Sequence, residues 1–160
     1  MLFGGGFPRQ GSLAILRAAQ RAIFFTQREL EATEKGLNAA IVLCDRGTVD
    51  GVAYWPGPES LWEAVGTTRE EQLARYDAVI HLRTPALDSG YNHVNRLRTE
   101  SAAEAHAIDE RILAAWEGHA RRTVIDATPD FFVKASHALA ALREEFPDCC
   151  RQPPLPQRSE

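Results

Sequence analysis

Three short apolar runs end in ionisable groups: Ala39-Ala40-Ile41-Val42-Leu43-Cys44 runs into Asp45-Arg46-Gly47, Ala78-Val79-Ile80-His81-Leu82 into Arg83-Thr84, and Arg122-Thr123-Val124-Ile125 into Asp126. An acid and a guanidinium at the carboxyl tip of a buried strand stand where open α/β sheets meet their ligands. Asp45 and Arg46 are therefore candidates to touch a substrate; the alternative is that Asp45 caps the following turn and Arg46 is solvated. A second set of candidates follows in Thr48–Pro58, where Asp50, Tyr54 and Trp55 lie among Gly51, Pro56, Gly57 and Pro58. Loops of this composition either line ligand pockets or pack an aromatic over the core. Arg96 and Arg98, with Arg111, make a small basic group. Guanidinium forks match phosphate oxygens, which suits a lid over a nucleotide, or they pair on the surface with Glu100, Glu104 and Asp109.

The elements that must position these groups follow from periodicity and punctuation. From Ser12 to Lys35, Leu13, Leu16, Ile23, Phe24 and Leu30 recur at helical steps, with Ser12 as N-cap and Gly36 as stop. The uninterrupted apolar run 39–44 reads as a strand covered on both faces. Ser60–Val65 and Thr68–Arg75 read as two short helices around Gly66, 78–82 as a second strand, and 86–95 as a loop. A helix over about 99–116 turns Ala102, Ala105, Ile108, Ile112 and Ala115 inward. A third strand, 122–126, is followed by a helix capped by Thr128 or Asp130, whose buried side is Phe131, Val133, Ala138, Leu139 and Leu142. His81 reads as a hydrogen-bonded core histidine. Strands alternating with helices imply a parallel sheet with helices on both faces, with the three polar tips on one edge.

Length and charge narrow the function. The 160 residues, 44% of them hydrophobic, suffice for one domain over 1–146, leaving 147–160, with Pro153, Pro154 and Pro156, as a disordered tail. A net charge of -4 and 18 basic residues without a long run argue against a nucleic-acid partner. No apolar stretch approaches the ~20 residues that span a bilayer. Cys44, Cys149 and Cys150 lack metal-ligand spacing, consistent with a reducing, cytoplasmic setting.

The run Val42-Leu43-Cys44-Asp45-Arg46-Gly47-Thr48-Val49-Asp50-Gly51-Val52-Ala53-Tyr54-Trp55-Pro56-Gly57-Pro58, followed by Tyr76-Asp77-Ala78-Val79-Ile80-His81-Leu82-Arg83-Thr84-Pro85, resembles the AAA-type P-loop ATPase family grouped with NadR-like nicotinamide riboside kinases. Asn95-Arg96-Leu97-Arg98-Thr99-Glu100-Ser101 and Ile125-Asp126-Ala127-Thr128-Pro129-Asp130-Phe131 are similar to it as well, so that the resemblance covers roughly 3–146. It implies a three-layer P-loop NTPase-like fold and an ATPase or small-molecule kinase that takes ATP or GTP with Mg2+ and an acceptor of unknown identity. By the same resemblance Asp45 holds the metal-bound water or accepts a proton, and Arg46 steadies the acceptor or a phosphate together with Asp50, Tyr54 and Trp55. Arg96 and Arg98 become lid arginines over the transferring phosphoryl group, and Thr128, Pro129 and Asp130 flank the nucleotide base.

One departure from that pattern matters. The Walker A motif G-x-x-x-x-G-K-[ST] does not occur in these 160 residues; Gly4-Gly5-Gly6 is followed by Phe7-Pro8, and the first lysine is Lys35. The expectation is an incomplete fold lacking the first strands and the P-loop, inactive or weak in catalysis as it stands. The alternative is a non-enzymatic, partner-binding domain that associates with itself or another chain through an exposed sheet edge.

Overall fold

The computed structural model describes residues 7–8, 10–84 and 101–147. Arg96 and Arg98, the triple glycine, the 86–95 loop and all but the first residue of the 147–160 tail lie outside them.

Helix α1 (Leu13–Gly36) is opened by Ser12, whose hydroxyl accepts from the Ile15 amide at 3.4 Å. The Thr33 and Glu34 carbonyls close it by accepting from the Leu37 amide, and the Lys35 carbonyl accepts from the Asn38 amide. Its expected apolar stripe is only partly buried: Phe24 packs inward, whereas Leu13 and Leu30 are 46% and 61% exposed. Ala19 and Glu31 complete its buried side. A 3-10 turn at Thr48–Asp50 runs into the single-turn α2 (Gly51–Tyr54), so the expected loop is ordered and buried at Thr48, Val49, Asp50 and Ala53. Helices α3 (Leu61–Val65) and α4 (Arg69–Leu73) turn about Gly66, which takes the left-handed conformation (φ 68) that glycine adopts without a steric penalty. Thr68 and Glu71 cap α4 reciprocally, and Ser101 and Glu104 do the same for α5 (Ala102–Ala115). These two carboxyls are held below the usual glutamate range by their hydrogen bonds, Glu71 chiefly by the Thr67 hydroxyl and Glu104 chiefly by the Ser101 amide.

Strand β1 (Val79–Leu82) pairs in parallel with β2 (Arg122–Ile125), in the register Val79 to Arg122 through Leu82 to Ile125. This pair is the sheet among the described residues. The expected strand at 39–44 is not formed: 41–44 are irregular, Leu43 is 67% exposed, and Asp45-Arg46 sit on a bend. An apolar, β-branched run becomes a strand only where a neighbour satisfies its amides and carbonyls, and no described strand lies beside it. The three-strand sheet is thus reduced to two, and the result is a mixed helix and strand fold compatible with an incomplete α/β architecture.

The core has two centres. Val49, Ala53, Ile112, Ala115 and Trp116 form the larger, with Leu73, Tyr76, Val79 and Ile108 against it; Phe24, Leu61 and Val65 form the smaller, and Trp62 packs on both. Gly47 lies so close beneath Trp116 that a Cβ there would stand 2.4 Å from the indole. Helix α6 (Phe131–Glu145) rests on both strands but buries no residue fully, and Phe131 and Phe132 are 73% and 80% exposed. Its expected buried face is therefore corrected. Two strands of four residues offer roughly 13 Å of length, while fifteen helical residues extend about 22 Å, so the sheet is too small to cover the helix.

Candidate functional site

Parallel pairing puts the residues after β1 and β2 at one edge, and α5 supplies the opposing groups. His81, the third residue of β1, is buried and its Nε2 lies 2.9 Å from Asp109 Oδ1 on α5. Arg83, just beyond the strand, places Nε 2.9 Å from Asp109 Oδ2 and pairs through Nη2 with Glu110. The contact with Oδ2 is one of charge rather than direction, because that buried oxygen receives no well-aligned hydrogen bond. Lys134 reaches in from α6 and donates to the Arg83 carbonyl at 2.5 Å. Burial lowers its ammonium pKa, opposed by the charge of Asp109. The Arg83 guanidinium is held charged first by its bond to Glu110, against the cost of burial, with Asp109, Glu110 and Asp126 adding to the effect. Asp126, the expected polar tip of β2, thus acts on this group through space. Its core member was legible as a histidine inside an apolar run; Asp109 was not, because one carboxylate in a helical pattern reads as a surface residue.

The groups expected at Asp45 separate into different environments. Asp45 is exposed and makes no hydrogen bond or ion pair among the described residues. Arg46 Nη1 stands 3.5 Å from Asp50 Oδ2, and the Arg46 carbonyl accepts from Gln27. Asp50 turns inward, where its Oδ1 accepts from the Trp116 indole at 2.5 Å. Tyr54 is exposed at the end of α2. Trp55 donates from its indole to the Glu59 carbonyl at 2.7 Å, with the Arg17 guanidinium 5.5 Å from its ring centroid. Thr128 donates to the Asp130 carbonyl at 2.7 Å, and Asp130 Oδ1 accepts from the Phe132 and Val133 amides as the N-cap of α6. Pro129 is exposed beside it. One surface depression is lined by Phe25, Thr26, Glu29, Leu30 and Thr33, another by Glu110, Leu113, Ala114, Glu117 and Arg122. Neither includes any of these candidates.

Beside the Asp45-Arg46 bend lies a buried polar network that the sequence did not announce. Glu31, 6% exposed on α1, accepts from Arg75 Nη2 at 2.5 Å, the Tyr76 hydroxyl at 2.7 Å and Gln27 at 3.2 Å. The Thr48 amide donates to the Tyr76 oxygen at 2.7 Å, and the Thr48 hydroxyl to Gln72 at 3.0 Å. Burial pushes the Tyr76 phenol well above its ordinary pKa, so it stays a hydrogen-bond donor at neutral pH. This network fixes the bend at Asp45-Arg46 to α1 and α4 rather than presenting a reactive group. Cys44 at its margin has its thiol pKa raised, first by burial and then by Glu31, which disfavours the nucleophilic thiolate.

For metal ligation, the described trio that gathers is His106, Asp109 and Glu110 on α5. Asp45, the sequence's candidate, is exposed on the bend and is not a member of that trio.

No match was found among curated proteins or among solved structures. A family model described as AAA domain matches residues 4–132, which takes in α1 through β2, the Asp45 bend and the ionic edge of the parallel pair. With most of its length matched, the chain belongs to the AAA domain family.

Proposed function

We propose that this chain is a nucleotide-binding domain of the P-loop ATPase or small-molecule kinase kind, NadR-like in type, that takes ATP or GTP with Mg2+ and a small-molecule acceptor. The observation that carries the reading is the AAA domain match over residues 4–132. Phosphoryl transfer depends on positioning and on charge around the phosphate oxygens. Asp45, an exposed carboxylate without a described partner, suits the outer face of a hydrated Mg2+. Arg46, half exposed and only loosely tied to Asp50, is free to turn toward a phosphate or acceptor. Arg96 and Arg98 would close over the phosphates, with Thr128, Pro129 and Asp130 beside the base and Asp50, Tyr54 and Trp55 on the acceptor side. Of these, Asp50 and Asp130 already spend carboxylate oxygens on Trp116 and on the α6 N-terminus, so their contribution is to hold shape. No Walker A motif occurs in the 160 residues, so the β- and γ-phosphates have no lysine-bearing cradle here and catalysis is inactive or weak in this chain alone. The setting is cytoplasmic, and among the described residues no helix is long and apolar enough to cross a membrane.

Calorimetry with Mg-ATP and Mg-GTP, on the 160-residue chain beside a form extended upstream, tests the reading. Binding by the extended form, weakened by Asp45→Ala, is the expected result; no binding by either refutes it. A second reading draws on the two-stranded sheet, whose outer edges meet no described strand, and on the exposed Leu43, Leu82 and Val124. Unpaired edges with apolar neighbours are templates for added strands. On this reading the domain binds itself or another chain. Light scattering that returns a monomer at high concentration counts against self-association.

A further inference from the structure

We infer that helix α5 carries a site for a divalent transition-metal ion, formed by the half-exposed His106 and Glu110 together with the buried Asp109. The spacing i, i+3, i+4 brings an imidazole and two carboxylates to one side of the helix. One ligand atom from each lies within 4.8 Å of the others, and His106 Nε2 is 3.7 Å from Glu110 Oε1. Bonds of about 2.0–2.2 Å to nitrogen and oxygen place ligand atoms roughly 3–3.5 Å apart in a tetrahedral site. Rotation of the two exposed side chains, His106 and Glu110, closes that difference.

The second observation is the state of Asp109. Its side chain is 5% exposed, His81 occupies Oδ1, and Oδ2 receives no hydrogen bond among the described residues. Buried carboxylate oxygens are ordinarily satisfied. Here the oxygen has only the charge of Arg83, whose Nε is 2.9 Å away and whose Nη2 pairs with Glu110. The guanidinium bridges the two carboxylates that a metal ion would bridge. His81 meanwhile holds Asp109 in place from behind, as outer partners do for metal-binding carboxylates. An imidazole with two carboxylates selects Zn2+, Co2+ or Ni2+ over Mg2+ and Ca2+, which prefer oxygen alone. Binding is an exchange of cations: the ion displaces Arg83, while Lys134 remains on the Arg83 carbonyl. Arg83 therefore opposes the metal, and its removal favours it.

The site needs no nucleotide, so its test stands apart from the nucleotide-binding reading. Titration calorimetry of the full chain with Zn2+ alone, on the native protein, His106→Ala and Arg83→Gln, decides it. Circular dichroism confirms the fold of each variant, and His106 is half exposed and outside both core clusters, so its removal leaves the core intact. Loss of an outer partner commonly weakens metal binding by about 10–100-fold, so loss of the ligand His106 is expected to weaken one equivalent at least tenfold. Arg83→Gln is expected to tighten the same equivalent. Equivalents held by Cys44, Cys149 or Cys150 survive His106→Ala. The proposal is overturned if all binding survives that substitution, if no Zn2+ binds, or if Arg83→Gln leaves the affinity unchanged.

Discussion

Replacing Asp109 with alanine should expose how much the edge of the parallel pair depends on one buried charge. Asp109 is 5% exposed and faces two partners at 2.9 Å, the buried His81 and the Arg83 guanidinium, itself 18% exposed. Removing one member of a buried ion pair typically costs about 3–5 kcal/mol, because the remaining charge is left without compensation. Arg83 retains Glu110 at the rim, which places the expected loss at the lower end, about 3 kcal/mol. Against a total of roughly 5–15 kcal/mol for a domain, that is a large fraction. Glu110→Ala removes a carboxylate that is 49% exposed from the same guanidinium, and a solvent-screened pair is worth about 0–1 kcal/mol. Urea unfolding followed by tryptophan fluorescence measures both, and unchanged m-values show that the folded and unfolded states remain comparable. Equal losses for the two variants, or a loss below about 1 kcal/mol for Asp109→Ala, would refute the assignment of Asp109 as the buried anchor.

Gly47→Ala should destabilise by about 1–3 kcal/mol through overpacking, since the added carbon would stand 2.4 Å from Trp116; thermal unfolding checks it, and an unshifted midpoint contradicts the packing. Trp116→Phe removes the indole that donates to buried Asp50 Oδ1, and leaving that oxygen unpaired should cost about 1–3 kcal/mol beyond the change in packing, read as a non-additive cycle with Asp50→Asn. The capping carboxyls of Glu71 and Glu104 have lowered pKa values when folded, so their stabilisation is present above a glutamate's ordinary ~4.3 and is lost as pH falls through the folded values. Glu104→Gln should flatten the acid side of the stability profile below pH ~5, and an unchanged slope there would exclude the cap as its source. Gly66→Ala forces a side chain into φ 68 and should cost about 1 kcal/mol in denaturant unfolding.

Local chemistry carried much of the outline. Ser12, Thr68, Ser101 and Asp130 start helices because a hydroxyl or carboxylate can satisfy amides two or three residues on, a device that needs no distant partner. The strands at Val79–Leu82 and Arg122–Ile125, their parallel order and the core placement of His81 follow from apolar runs separated by a long helix. The resemblance carried by the 42–58 and 76–85 runs led to the family in which the chain belongs.

Tertiary structure decided what depends on a partner far along the chain. The run at 39–44 has every local mark of a strand, yet strand identity resides in hydrogen bonds to a neighbour, and none is described beside it. α6 has an apolar face by periodicity, but burial requires a surface large enough to receive it, and two short strands do not provide one. Glu31 and Asp109 read alone as surface acids; they are buried because Arg75 and Tyr76 meet the one, and His81 and Arg83 the other, across 28 or more residues of sequence in three of these four contacts. Desolvation makes such carboxylates costly unless a partner stands within hydrogen-bond reach, and only the folded chain brings that partner there.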